Sequence, residues 1–208
     1  MTRAFLCLTL LFSIIFVNVA QAQDPFLEKA EKWFNNLKTA QASFVQTGAD
    51  GQDRTGTFYL SRPGRLRFEY DAPIDDFIVA DGVMIHFYDG ELRDVSNALI
   101  GQTPADFILR GHLSFTDMAG DLIVTETRHS GNVFRMTLLQ RGDPDAGQII
   151  MDFSKEPINL MGWGIMDSMG GYTKIALNNL EKDVQISPTL FRYIDPEIKS
   201  GKRTPFNN

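Results

Sequence analysis

The chain has 208 residues, of which 43% are hydrophobic and 22% are charged, and its formal net charge at pH 7 is -6. A single domain of this size can bury a large core. The acidic balance, and the lack of a basic patch with interleaved aromatic residues, argue against binding to nucleic acid or to anionic membrane surfaces.

The first 22 residues have the pattern of a cleavable secretory signal peptide. Arg3 gives a positive start, residues 4–17 carry no charge, and Ala20-Gln21-Ala22 is a small-x-small cleavage pattern that predicts Gln23 as the mature start. The apolar run is shorter than the ~20 residues that a membrane-spanning helix needs. A short buried helix and a retained membrane anchor are the alternative interpretations.

The single cysteine, Cys7, lies inside this apolar run and not at the cleavage site, where a lipoprotein signal would place it. We therefore expect the mature chain to carry no lipid, no disulfide and no cysteine-based catalytic or metal site. Residues 23–208 are predicted to form one domain that is stabilised by its core.

The mature chain is predicted to begin with a helix. Asp24 is a good N-cap, Pro25 suits the first turn, and apolar residues recur at helical spacing to about residue 40. After that the hydrophobic period changes to two, with Gly-, Asp- and Pro-rich turns between the apolar segments. Strands are predicted near 42–48, 55–62, 65–70, 77–81, 83–88 and 91–97.

A second helix is predicted over 104–110, between two groups of strands. Thr103 is a candidate N-cap, Pro104 takes the first helical position, and Asp106 can complete a capping box. Its apolar residues are Phe107, Ile108 and Leu109. Strands then resume near 121–129, 132–140, 147–154, 163–169 and 172–178.

These elements predict a mainly β (α+β) fold. An antiparallel sheet of about ten strands curls, and its edges must be closed or covered. Leu66, Phe68 and Tyr70 alternate onto one strand face, and Ile85 and Phe87 share a face of another strand. We therefore expect an inner face lined by large apolar and aromatic groups.

Four segments occur in a characteristic order: the hairpin at 57–70 (TFYLSRPGRLRFEY), the IVADG segment at 78–82, the HFYD segment at 86–89, and Thr103-Pro104 followed by Phe107-Ile108-Leu109. Together they resemble the LolA family of periplasmic lipoprotein carriers. The resemblance implies an unclosed antiparallel β-barrel of about ten or eleven strands with helices covering the concave face as a lid. It is strongest from about residue 42 to residue 110.

The resemblance also implies a function. Such a carrier, a chaperone of outer-membrane biogenesis, takes the acyl chains of lipoproteins released by an inner-membrane ABC transporter and crosses the periplasm with them. An outer-membrane lipoprotein receptor is a further candidate partner, and we expect a monomer. Arg62 matches the family arginine that latches the lid, and the lid residues are Phe107, Ile108 and Leu109. The acyl-chain cavity is assigned to Phe58, Leu60, Leu66, Phe68, Tyr70 and Phe87.

Plainer interpretations of the same residues remain. Arg62 suits a solvated charge at the end of a strand, and Phe68 and Tyr70 suit the core of a β-sandwich. The helix over 104–110 suits an ordinary connector packed on the sheet.

No enzymatic signature is present, so we expect no catalytic residue, metal or cofactor. His86, His112 and His129 are isolated in the sequence, and Ser168 lacks the glycine two positions before it that a nucleophile elbow requires. Two rival functions remain: a periplasmic lipid-sensing or glycolipid-binding module of the same fold, and a secreted acyl-ester hydrolase using Ser168 or His86.

Overall fold

A computed structural model describes residues 24–117, 119–143, 145 and 147–199. The predicted signal peptide and its cleavage site lie outside the described residues. The helices are α1 (Pro25–Asn36), α2 (Asp106–Leu109) and α3 (Pro196–Lys199), and 3₁₀ turns cover Ile100–Gln102 and Pro188–Phe191. The strands are β1 (Thr39–Thr47), β2 (Asp53–Ser61), β3 (Arg65–Tyr70), β4 (Phe77–Asp81), β5 (Met84–Asp89), β6 (Asp94–Leu99), β7 (Leu122–Ser130), β8 (Val133–Gln140), β9 (Gln148–Lys155), β10 (Ile158–Met166) and β11 (Tyr172–Lys182).

The strands form one 11-stranded sheet in the order β6-β5-β4-β3-β2-β1-β11-β10-β9-β8-β7. Every paired neighbour is antiparallel. β6 and β7 are the two edges, and within the described residues no ladder joins them. The predicted fold class, an unclosed antiparallel barrel with few helices, is therefore confirmed.

Strand β10 differs from its prediction. We expected a strand over 163–169, whereas β10 covers Ile158–Met166 and the chain turns at 167–171. The Asp167 carboxylate forms that turn by accepting hydrogen bonds from the backbone nitrogens of Met169 at 2.9 Å and Gly171 at 2.8 Å. Gly162 lies inside the strand at an irregularity in the pairing with β9, as glycines at β-bulges do, and does not mark its start.

Helix α1 begins as predicted and ends earlier. The Asp24 side chain accepts a hydrogen bond from the Phe26 backbone nitrogen at 2.9 Å, which caps the first turn. The buried residues of α1 are Leu27, Ala30, Trp33 and Phe34. The ring of Trp33 meets Phe153 of β9 at 5.6 Å, edge to face, so α1 packs on the inner face of the sheet.

The capping predicted for the second helix is wrong. The Thr103 hydroxyl donates to the Ile100 carbonyl at 2.9 Å and so belongs to the preceding 3₁₀ turn. The Asp106 carboxylate pairs with Arg110. Helix α2 is consequently shorter than predicted, at four residues, and all four are buried.

The two faces of the sheet have separate apolar clusters. The main cluster joins the inner face to α1 and α2. A small outer cluster consists of Phe77, Val79 and Tyr88, with Val95 and Tyr193 packed against it. Because Tyr193 follows β11, the C-terminal segment covers part of the outer face and leaves the inner face to the helices.

Candidate functional site

An apolar cavity of about 270 Å³ lies between the inner face and helix α2. Three of its lining residues are polar, namely Gln46, Thr103 and Thr173. The other lining residues are Leu66, Phe68, Ile78, Ile85, Phe87, Pro104, Ala105, Ile108, Trp163, Ile165 and Ile175. A cleft of equal volume shares Thr103, Pro104 and Ile165, but its lining includes Gln102, Gln140, Asp143 and Gln148 and is much more polar. The apolar cavity is therefore the candidate ligand site.

Aromatic rings form one side of this cavity. The Trp163 ring lies 5.7 Å from Phe58, 6.3 Å from Phe68 and 6.0 Å from Phe107, in edge-to-face arrangements. Phe58 and Phe68 lie 4.9 Å apart and are direct partners in the β2–β3 ladder. Such aromatic pairs stabilise the wall by more than the burial of their apolar surface alone contributes. Trp163 thus links the wall formed by β2 and β3 to helix α2.

Helix α2 covers the cavity. Ile108 lines it directly, and Phe107 and Leu109 are at most 2% exposed. The Leu109 carbonyl accepts a hydrogen bond from the Gly64 backbone nitrogen at 2.8 Å, which joins the helix to the turn between β2 and β3.

Arg62 lies beside that turn and bonds to two helical segments. Its Nε donates to the Arg110 carbonyl at 2.8 Å, and its Nη2 donates to the same oxygen. Its Nη1 donates to the carbonyls of Phe34 and of Leu37, the latter at 3.2 Å. The arginine therefore connects the C-terminal ends of α1 and α2.

The Arg62 side chain is buried without a carboxylate partner in the described part of the chain. The residue is 8% exposed, and its guanidinium carbon lies 4.3 Å from the centroid of the Phe34 ring. Burial lowers the pKa of Arg62 to about 10, so it stays protonated at neutral pH and its donors remain available for the carbonyls.

The predicted cavity residues occupy three kinds of position. Leu66, Phe68 and Phe87 line the cavity. Phe58 and Leu60 are at most 1% exposed and belong to the main apolar cluster without lining the cavity. Tyr70 is hydrogen-bonded to the lining residue Gln46, its hydroxyl donating to Gln46 Oε1 at 2.7 Å.

Sequence reasoning assigned no cavity role to the wall formed by β1, β10 and β11. Trp163, Ile165, Thr173 and Ile175 come from β10 and β11, and Gln46 comes from β1. The alternation in β11 was a usable signal, since Thr173, Ile175 and Leu177 share one face.

The residues weighed for chemistry do not assemble. His86 is hydrogen-bonded to Asn97 Oδ1 at 2.6 Å and Asp81 Oδ2 at 3.3 Å, and Tyr193 stacks on its ring at 4.9 Å. Ser168 is exposed in the turn after β10, and the two residues share no hydrogen bond. Among the described residues there is no metal-binding group of His, Cys, Asp or Glu. The helices in that part of the chain are also too short or too polar to cross a membrane.

The family model described as outer membrane lipoprotein carrier protein LolA matches residues 35–194. The chain belongs to the LolA family. The match includes the β2–β3 hairpin, Arg62, helix α2 and every residue that lines the apolar cavity.

Relatives named outer-membrane lipoprotein carrier protein align with most of the chain. The protein of Methylococcus capsulatus is 26% identical, covering 85% of this chain and 87% of that protein. The protein of Nitrosomonas europaea is 27% identical and covers 91% and 97%, and that of Chromohalobacter salexigens is 29% identical and covers 86% and 87%. A solved DUF1329 family protein from Desulfovibrio piger has a TM-score of 0.49 and 12% identity, covering 81% of this chain and 95% of that one.

Proposed function

We propose that this LolA family protein is a periplasmic carrier that holds the acyl chains of lipoproteins in its apolar cavity. It receives them from an inner-membrane ABC transporter and delivers them for insertion into the outer membrane. The observation that carries the proposal is the apolar cavity under α2, within a chain of the carrier family. Binding by burial needs no cofactor and includes no chemical step.

The energetics of acyl chains require a closed apolar compartment. Burial of each methylene contributes about 0.8 kcal/mol, so exposure of a long acyl chain to water costs on the order of 10 kcal/mol of free energy. A lipoprotein with two or more chains therefore does not cross an aqueous compartment unaided. Isoleucine, phenylalanine and tryptophan side chains along the wall replace the membrane interior as solvent for the chains.

The empty cavity is too small for this cargo, so we propose that α2 moves on binding. Its 270 Å³ is just under the roughly 300 to 1,000 Å³ that small-molecule pockets span. Ile108 projects from α2 into the same space. Withdrawal of α2 enlarges the cavity, and its return seals the apolar wall when no cargo is bound.

Arg62 is proposed as the latch of the closed state. Its donors hold the carbonyls of Phe34, Leu37 and Arg110, so one side chain fixes the ends of α1 and α2 together. Opening breaks these bonds and exposes the carbonyls and the guanidinium to water, which hydrates both. The closed state is thereby favoured without becoming irreversible.

Release of lipoproteins from spheroplasts tests the carrier function. Spheroplasts that retain newly made lipoproteins are incubated with the purified mature chain, membranes are removed by centrifugation, and the supernatant is examined. We expect a one-to-one complex of chain and lipoprotein in the supernatant. Release of no lipoprotein would contradict the proposal.

A matched pair of variants on β10 links release to the cavity. Ile165→Glu places a charge in the cavity lining and should abolish release. Met161→Glu changes the same strand at a position that is 41% exposed and outside the cavity, and should release lipoprotein normally. Equal release by the two variants would place the binding site elsewhere.

A further inference from the structure

Strand β1 places a glutamine where its pattern calls for an apolar residue. Ala40, Ala42 and Phe44 alternate onto the inner face and are buried. Gln46 is the next residue of this series and lines the apolar cavity. A polar side chain in such a position needs a partner, and its amide offers one acceptor and two donors.

The Tyr70 hydroxyl takes up the acceptor side of that amide. It donates to Gln46 Oε1 at 2.7 Å, while the tyrosine ring packs edge to face on Phe44 at 5.3 Å. Burial raises the pKa of Tyr70 to about 12, so the hydroxyl keeps its proton. The amide oxygen is thus bound to Tyr70, and the Gln46 amide nitrogen, which has no hydrogen-bond partner in the described part of the chain, keeps both donors available.

A second donor lies nearby on β11. Gln46 is directly paired with Ile175, and Thr173 is the next inward position of that strand. Such diagonal neighbours in an antiparallel pair lie about 7–8 Å apart, within reach of one ligand group. Thr173 also lines the cavity, and its hydroxyl forms no hydrogen bond with the described residues.

We propose that the Gln46 amide nitrogen and the Thr173 hydroxyl bind the carbonyl oxygens of acyl ester or acyl amide linkages, where the chains of the cargo meet its headgroup. This rests on the proposed carrier function. The hydrocarbon part of an acyl chain needs only apolar wall, whereas its carbonyl loses water on entry and requires a donor. The third polar lining residue, Thr103, already donates its hydroxyl to the Ile100 carbonyl, so the donors of Gln46 and Thr173 meet that need and fix how deeply the chain enters.

The proposal predicts selectivity for the type of linkage. An alkyl ether has no carbonyl, so an ether-linked lipid leaves the Gln46 and Thr173 donors without this partner. One neutral hydrogen bond corresponds to roughly a three- to ten-fold difference in affinity. With two donors, the unmodified protein should therefore prefer ester-linked chains to ether-linked chains by at least that factor.

Two synthetic lipopeptides test this selectivity. Both have the same dye-labelled peptide on a cysteine thioether, one with two ester-linked palmitoyl chains and one with two ether-linked hexadecyl chains. Equilibrium binding to the mature chain is measured by fluorescence anisotropy. Gln46→Leu leaves only the Thr173 donor, so it should reduce the ester preference while it still binds the ether probe. Gln41→Leu, at an exposed position of the same strand, should keep the preference of the unmodified protein.

Tyr70→Phe gives a second, independent variant. It keeps the ring against Phe44 but removes the hydroxyl that holds the Gln46 amide, so the ester preference should decrease without being lost. Binding of the ether probe shows in each case that the variant is folded.

The outcomes separate the two proposals. An unmodified protein that binds both probes equally, or a Gln46→Leu variant whose ester preference is as large as that of the unmodified protein, would overturn the role of Gln46 and leave the carrier function standing. Binding of neither probe by the unmodified protein would contradict the carrier function itself.

Discussion

Glu31 of helix α1 accepts two hydrogen bonds from Thr116, one from its backbone nitrogen at 3.1 Å and one from its hydroxyl at 2.9 Å. The same carboxylate oxygen accepts from the Phe115 backbone nitrogen at 2.7 Å and the Ser114 hydroxyl at 2.9 Å. One turn later in α1, the Asn35 side chain bonds both backbone groups of Leu113. The segment that follows α2 is thus attached to α1 along its length, and the two form a single covering unit.

Removal of the Glu31 carboxylate should destabilise the protein. Glu31→Ala removes the acceptor of four hydrogen bonds from the 114–116 segment, and we expect the free energy of unfolding to fall by about 2–3 kcal/mol. Glu28→Ala is the matched control, because Glu28 is exposed on the same helix. Its removal should lower the free energy of unfolding by less than about 1 kcal/mol. Denaturant unfolding of both variants measures the difference, and equal losses would contradict this account.

The Glu31 contribution should also depend on pH. Burial acts to raise the pKa of Glu31, but the hydrogen bonds from Phe115, Thr116 and Ser114 outweigh it, and the pKa is lowered from its usual 4.5. A lowered pKa means that the folded state binds the proton less readily than the unfolded state, so this stabilisation is complete above pH 4.5 and is lost as the pH falls through the folded-state value. The difference in unfolding free energy between the unmodified protein and Glu31→Gln should be constant near neutral pH and shrink below pH 4.5. If this difference in unfolding free energy instead grew on acidification, the lowered pKa of Glu31 in the folded state would be contradicted.

Loss of Arg62 should loosen the covering unit without unfolding the sheet. Arg62→Leu removes every hydrogen bond from this side chain to the Phe34, Leu37 and Arg110 carbonyls, while the leucine keeps apolar contact with Phe34. We expect circular dichroism like that of the unmodified protein, together with several-fold stronger fluorescence of a dye that binds apolar surface. Arg65→Leu, at an exposed position three residues further on, should leave dye binding unchanged. Unaltered dye binding and lipid release in Arg62→Leu would remove Arg62 from the mechanism.

The parts of the structure that sequence predicted well are those that rest on local pairing. The hairpin predicted at 57–70 forms, and its short turn at Pro63-Gly64 places Phe58 opposite Phe68 and Leu60 opposite Leu66. Gly64 has a φ of 83°, and a Cβ atom there would lie 3.0 Å from Gly82, so the turn requires glycine. Such short-range constraints can be recognised in a single sequence.

The other half of the cavity wall depends on pairing between distant segments. β1 pairs with β11, so Val45 lies opposite Ala176, and no local pattern encodes that register. Without it, Gln46 could not be placed beside Thr173, and Trp163 could not be placed against Phe58. The boundary of β10 was predicted wrongly for a related reason. A glycine such as Gly162 suggests the end of a strand until the pairing of β10 with its neighbouring strands is known.

Shortening of Ile108 should change stability and lipid affinity in opposite directions. Ile108→Ala removes a side chain that is 1% exposed and lines the cavity, which should lower the free energy of unfolding by about 2–4 kcal/mol. Under the proposed mechanism α2 is displaced when cargo is bound, so the substitution destabilises the empty state more than the cargo-bound state. The variant should therefore bind the ester lipopeptide more tightly. Met136→Ala is the control, since Met136 is equally buried but lies in β8 and does not line the cavity, so it should lose stability without a gain in affinity. Chemical unfolding and anisotropy titration of the same preparations give both quantities. Weaker lipid binding by Ile108→Ala would show that Ile108 contacts the cargo and does not compete with it for the cavity.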